Sequence, residues 1–138
     1  MNYILISHGK FASGLLAAIE IILGKRDNVY AIDMYVDDQT LEEKVNYIFS
    51  TPNLTEDNTI ILTDIFGGSV NQKVIKMFDL EKIKVITGMN LPLVLELLTI
   101  SDNEVNDDKL RSIVTDTRNQ VEYVNDLISN QTFDDDFF

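Results

Sequence analysis

Cysteine is absent from this 138-residue chain, and histidine occurs once, at position 8. Without cysteine there is no disulfide, no thiolate nucleophile and no cysteine-based zinc site. A single histidine also excludes a multi-histidine metal site, and no metal or cofactor is expected. Basic residues are scarce: 11 Lys and Arg stand against 23 Asp and Glu, for a net charge of -12. So acidic a chain lacks the basic footprint that a phosphodiester backbone requires, which argues against nucleic acid as a partner. Anionic membrane surfaces are disfavoured for the same reason. The excess acid serves solubility instead. No run reaches the roughly 18 apolar residues of a spanning helix. The apolar start Tyr3-Ile4-Leu5-Ile6 lacks the basic region of a signal peptide. These absences lead to the expectation of a cytoplasmic protein.

What remains is an ordinary globular balance, 45% hydrophobic and 25% charged. The length suits one domain, read here as residues 1–130 followed by an acidic and aromatic tail, 131–138. Short apolar runs alternate with helical patterns. Strands are expected at Tyr3-Ile4-Leu5-Ile6, Val29-Tyr30-Ala31-Ile32, Thr59-Ile60-Ile61-Leu62-Thr63 and Ile83-Lys84-Val85-Ile86. Between the first two, Leu15, Leu16, Ile19, Ile22 and Leu23 follow a helical period that Gly24 closes. Thr40 and Glu43 have capping-box spacing ahead of Leu41, Val45, Ile48 and Phe49. Ser69 and Gln72 have the same spacing ahead of Val70, Val74, Ile75 and Phe78. Asn90-Leu91-Pro92 leads into a short helix over 93–98. One last helix is expected over 107–128, with Leu110, Ile113, Val114, Val121, Val124 and Ile128 on one stripe.

This alternation predicts an α/β fold, a doubly wound parallel sheet of strand order 2-1-3-4 with helices on both faces. The crevice of such a sheet lies at the carboxyl ends of strands 1 and 3, where the winding reverses. Two polar clusters follow those strands: Ser7-His8-Gly9-Lys10-Phe11-Ala12 and Thr63-Asp64-Ile65-Phe66-Gly67-Gly68-Ser69. Adjacent strand ends would bring the His8 imidazole and the Asp64 carboxylate within hydrogen-bond reach. A carboxylate accepting from Nδ1–H fixes the tautomer and leaves Nε2 free as a nucleophile. Gly67, Gly68 and Ser69 open a helix, whose exposed N–H groups and dipole favour an anion. Together these parts describe a histidine that takes up a phosphoryl group.

Each residue also has an ordinary structural role available. His8 could simply pack, Asp64 could form an Asx-turn, and the glycine pair could make an unremarkable strand–helix turn. Lys10, Lys73 and Lys76 would form either a positive collar or a solvated helix face. Phe11 and Phe66 would be either protein-partner contacts or core residues. The joint placement carries the functional reading.

Ser7-His8-Gly9 with Phe11-Ala12 and Gly14, then Asp64-Ile65-Phe66-Gly67-Gly68-Ser69, then Thr87-Gly88-Met89-Asn90-Leu91-Pro92 stand in order at three strand ends. In these motifs the chain resembles the IIA component of the mannose family of the sugar phosphotransferase system, over about residues 2–128. The resemblance implies a phosphocarrier that accepts a phosphoryl group from HPr on Nε2 of His8. The group then passes to a IIB component and on to sugar entering through a membrane IIC/IID permease. In the same way it implies that Asp64 is the supporting aspartate and Ser69 the phosphate-side serine. It also implies a homodimer with an exchanged C-terminal strand, for which 128–133 is a weak candidate. The length suggests that IIB is a separate chain. Two alternatives stay open: the related phosphocarrier of dihydroxyacetone kinases, and a regulatory module that senses phosphorylation without passing it on. A small hydrolase using His8 as base lacks an evident serine or cysteine nucleophile.

Overall fold

Runs of Ile, Leu and Val, too apolar to face water on either side, form four strands: β1 (Asn2–His8), β2 (Val29–Met34), β3 (Thr59–Thr63) and β4 (Lys84–Thr87). They build one parallel sheet in the order β2-β1-β3-β4. The computed structural model describes residues 1–130. Among the described residues six α-helices accompany the strands: α1 (Phe11–Leu23), α2 (Leu41–Phe49), α3 (Ser69–Met77), α4 (Leu91–Leu97), α5 (Asp107–Arg118) and α6 (Val124–Asn130).

Alternate residues of the central strands point to opposite faces, and each face has its own core. On one side Tyr3, Leu5, Ile60 and Leu62 pack with Leu15, Ile19, Leu93, Leu97, Leu110 and Ile113 from α1, α4 and α5. On the other, Ile4, Ile6, Ile32 and Ile61 pack with Leu41, Val45, Val70 and Val74 from α2 and α3. Every residue of β3 is buried. This double cover is the physical reason that the strands read as continuous apolar runs rather than alternating ones.

Of the three helix starts that the sequence motifs anticipate at 40, 69 and 90, two follow local chemistry and one departs from it. Thr40 Oγ1 accepts from the Glu43 N–H, and a Glu43 carboxylate oxygen accepts from the Thr40 N–H, closing the expected capping box. Asn90 Oδ1 accepts from the Leu93 N–H ahead of Pro92. At α3 the expectation fails: Gly68 is the cap residue, Ser69 is the first helical residue, and no capping box forms there. Gln72 instead donates through Nε2 to the Gly67 carbonyl at 2.6 Å. The Ser69 hydroxyl is thereby left for other partners.

The single helix expected over 107–128 is two helices, α5 and α6, interrupted at 119–123. Core contact along α5 ends at buried Thr117. Beyond it Val121, Val124 and Ile128 are exposed, so among the described residues the apolar stripe finds no core surface that would favour one continuous helix. Asn119 closes α5, and the Gln120 N–H turns back to the Thr117 carbonyl. The strand candidate over 128–133 begins inside α6, and its remaining residues, with the acidic tail, lie outside the described residues.

Leu62 is fully buried between layers. Leu62→Ala is expected to destabilise the fold by about 2–5 kcal/mol, the usual cost of a large-to-small change at such a position. Urea unfolding monitored by circular dichroism measures it.

Candidate functional site

Parallel register decides what meets at the carboxyl edge of the sheet. β1 pairs His8 with Met34 of β2, and Ile6 with Thr63 of β3. The residues just beyond, Tyr35 and Asp64, therefore flank His8 from its two sides. Asp64 Oδ2 accepts from the His8 backbone N–H at 2.8 Å and from the His8 ring Nδ1 at 2.7 Å. Asp64 Oδ1 accepts from the Ile65 N–H at 3.0 Å. The Asp64 side chain is 14% exposed, that of His8 45%.

Partial burial pushes the Asp64 carboxyl up. The His8 backbone N–H, the His8 ring and the Ile65 N–H outweigh that and hold it below its ordinary value. Asp64 is thus ionised near neutrality and accepts only, so the proton of the neutral imidazole sits on Nδ1. Nε2 then carries the lone pair. Its neighbour is Ser69 Oγ at 3.2 Å, and Ser69 Oγ lies 2.8 Å from the Tyr35 hydroxyl.

Two loops are braced so that these groups stay aligned. Buried Ser7 accepts from the Ala12 N–H through Oγ at 2.7 Å and donates to the Gly9 carbonyl, tying the His8 loop to the start of α1. Buried Asn71 accepts from the Gly67 N–H and donates to Thr63 Oγ1, which donates in turn to Thr87 Oγ1. The Met89 N–H donates to the Thr63 carbonyl, so the loop after β4 extends the same frame.

Gly67 adopts φ +74, a left-handed turn that favours glycine. At Gly68 a Cβ would come 2.6 Å from the Ile65 side chain and 3.7 Å from His8 Cε1. The tight turn against Ile65 thus needs a residue without a side chain at position 68, whereas the imidazole lies at ordinary contact distance.

The structure brings His8, Asp64 and Ser69 into one chain of contacts, with Gly67 and Gly68 forming the turn beneath them. The N–H groups of Gly67 and Gly68 are already donated, to Asn71 Oδ1 and to the Ile65 carbonyl respectively. In this turn, the N–H groups of Ser69, Val70 and Asn71 at the start of α3 have no backbone partner and remain available to an anion. Phe11 and Phe66 are 48% and 81% exposed and are not core residues; they stand with exposed Ile65 around the His8 edge. Of the three lysines, Lys73 is tied to the site, its Nζ 5.4 Å from the Tyr35 ring centroid.

Tyr35 and Asn71 were not singled out by sequence reasoning. Tyr35 immediately follows β2, so the order 2-1-3-4 with parallel register places it beside His8. Asn71 directly follows Val70 on the inward face of α3, where a polar residue signals a buried partner.

Among the described residues, concavities lie between β4 and α5 and along β2 and α2, and none of their lining residues is His8, Asp64 or Ser69. The His8 side chain is 45% exposed at the edge of the sheet. Among the described residues no helix is long and apolar enough to cross a membrane.

Known proteins fit this geometry. The family model described as "PTS system fructose IIA component" matches residues 2–114. A mannose-specific EIIAB component of the phosphotransferase system from Escherichia coli strain K12 is 32% identical over 114 residues, 80% of this chain. The chain spans only 35% of that relative's length. A fructose-specific EIIA component from Bacillus subtilis is 27% identical over 82% of this chain and 79% of its own. A crystal structure of a candidate permease of the phosphoenolpyruvate-dependent sugar phosphotransferase system from Klebsiella pneumoniae superposes with a TM-score of 0.79. It has 35% identity and covers 92% of this chain and 93% of that one.

Because the folded Asp64 carboxyl is depressed, its contribution to stability is complete above the unfolded carboxylate value. It is lost as pH falls through the folded one. Wild type should therefore be more stable than Asp64→Asn at neutral pH, with the difference shrinking as pH drops through the carboxylate range. Urea midpoints of both proteins across pH test this.

Proposed function

The chain belongs to the fructose- and mannose-type IIA components of the sugar phosphotransferase system, and on that premise we propose that His8 is its phosphoryl acceptor. The observation carrying this reading is the exposed imidazole whose Nδ1 is held by ionised Asp64 and whose Nε2 faces Ser69 at the start of α3. No metal or cofactor is required.

The lone pair on Nε2 attacks the phosphorus of the phosphorylated donor in line. The new N–P bond forms as the donor's bond to phosphorus breaks, and that electron pair leaves with the donor atom. The proton on Nδ1 stays where Asp64 holds it, so the ring enters the reaction already in the reactive tautomer. Positive charge developing on the imidazole lies 2.7 Å from the Asp64 oxygen. Ser69 begins with its hydroxyl on Nε2 and turns to a phosphoryl oxygen as the lone pair is used. The N–H groups at the start of α3 meet the remaining oxygens. The transition state spreads its charge over the equatorial oxygens, so positioning and electrostatics account for the catalysis.

HPr is the donor in this reading and a IIB component the acceptor, leading to sugar entering through the IIC/IID permease. The exposed rings of Phe11 and Phe66 flank the histidine where both proteins would dock. Residues 1–130 constitute the phosphocarrier domain, working in the cytoplasm as a homodimer.

Incubation with enzyme I, HPr and phosphoenolpyruvate should give an acid-labile adduct on wild type and none on His8→Ala; an unmodified wild type ends the proposal. Ser69→Ala should slow loading about 10- to 100-fold, toward the cost of removing one oxyanion donor, as rapid-quench kinetics will show.

A further inference from the structure

The Tyr35 side chain sits beside the phosphoryl-acceptor chain without touching either reacting atom. Its hydroxyl is 2.8 Å from Ser69 Oγ, and its ring centroid is 5.2 Å from that of His8, tilted by 40°. The backbone of Tyr35 has φ +66, a left-handed conformation uncommon for a bulky residue. The residue is 53% exposed, so burial does not account for this placement. Lys73 Nζ lies over the Tyr35 ring, 5.4 Å from its centroid, a cation–π contact that helps hold the ring in place.

The directions of the hydrogen bonds follow from one another. Asp64 accepts from Nδ1–H, so Nε2 can only accept. The single Ser69 hydroxyl proton therefore points to Nε2, and the bond between Ser69 and Tyr35 has Tyr35 as its donor. A hydroxyl that receives one hydrogen bond is a stronger donor in the next. It also loses the option of rotating its proton toward Tyr35.

We propose that Tyr35 is a positioning residue for phosphoryl transfer, which aims and polarises the Ser69 hydroxyl, first toward His8 Nε2 and then toward the incoming phosphoryl oxygen. This rests on the phosphocarrier reading of His8. It acts through Ser69 alone, which separates it from a docking contact or a packing role.

Tyr35→Phe keeps the ring and removes only the hydroxyl. Its loading rate at saturating phosphorylated HPr should fall about 3- to 10-fold, less than for direct removal of a donor because the effect is relayed. In a Ser69→Ala background the same substitution should have no further effect. Without any phosphoryl donor, the His8 Nε2 resonance in ¹⁵N NMR should shift in Tyr35→Phe and stay put when Ser69→Ala is already present. Equal slowing in both backgrounds, wild-type loading by Tyr35→Phe, or an unmoved Nε2 resonance each overturns the proposal. A wild type that never loads overturns the phosphocarrier reading and this proposal with it, whereas loading that is unaffected in Tyr35→Phe overturns this proposal alone.

Discussion

One carboxylate oxygen organises the carboxyl edge of this sheet. Asp64 Oδ2 accepts from both the backbone N–H and the ring Nδ1 of His8, at 2.8 and 2.7 Å. The pair of bonds fixes the imidazole to the same group that fixes its own backbone, so ring orientation and loop position are set together. The tautomer follows from it, then the acceptor character of Nε2, then the donor direction of Ser69, and finally that of Tyr35. Were the carboxylate displaced, each later assignment would lose its basis. The arrangement has the logic of a triad in which the acid never moves a proton but keeps one in place.

The proposed phosphoryl transfer presents an electrostatic problem in an acidic chain, since a charge of -12 repels a dianion. The site answers it locally. The start of α3 presents N–H groups and the positive end of its dipole. Ser69 supplies a neutral donor with Tyr35 donating to it in turn, and Lys73 Nζ lies 5.4 Å from the Tyr35 ring centroid. None of these changes the net charge of the molecule. All act within a few ångströms, where screening by salt is weak compared with its effect across the whole surface.

Rigidity for that arrangement comes from the sandwich beneath it. The strands are packed on both faces, and the loops that leave them are tied back by the Thr87, Thr63, Asn71, Gly67 ladder and by Ser7. Thr63, Asn71 and Ser7 are buried, and each member of the ladder meets a partner. Exposed Phe11, Ile65 and Phe66 then surround a site that is shallow but held still.

The four apolar runs and the helical periods between them were enough to order the strands as 2-1-3-4, because double burial leaves a composition signature and right-handed crossovers restrict the topology. From that order alone His8 and Asp64 were legible as neighbours, although 56 positions separate them (64 − 8). The break at 119–123 was not, because the apolar spacing over 107–128 continues past the point where the core stops. Nor was the release of Ser69 from its capping box, since a hydroxyl at a helix start has several acceptors within reach and only packing selects among them. Tyr35 entered the site by register and Asn71 by burial, and the local pattern marks their places without naming their partners. Local chemistry thus determined the elements, their layering and the pairing of His8 with Asp64. The tertiary fold alone decided which hydroxyls, amides and rings surround that pair, because hydrogen-bond partners are chosen by distances that only the packed chain defines.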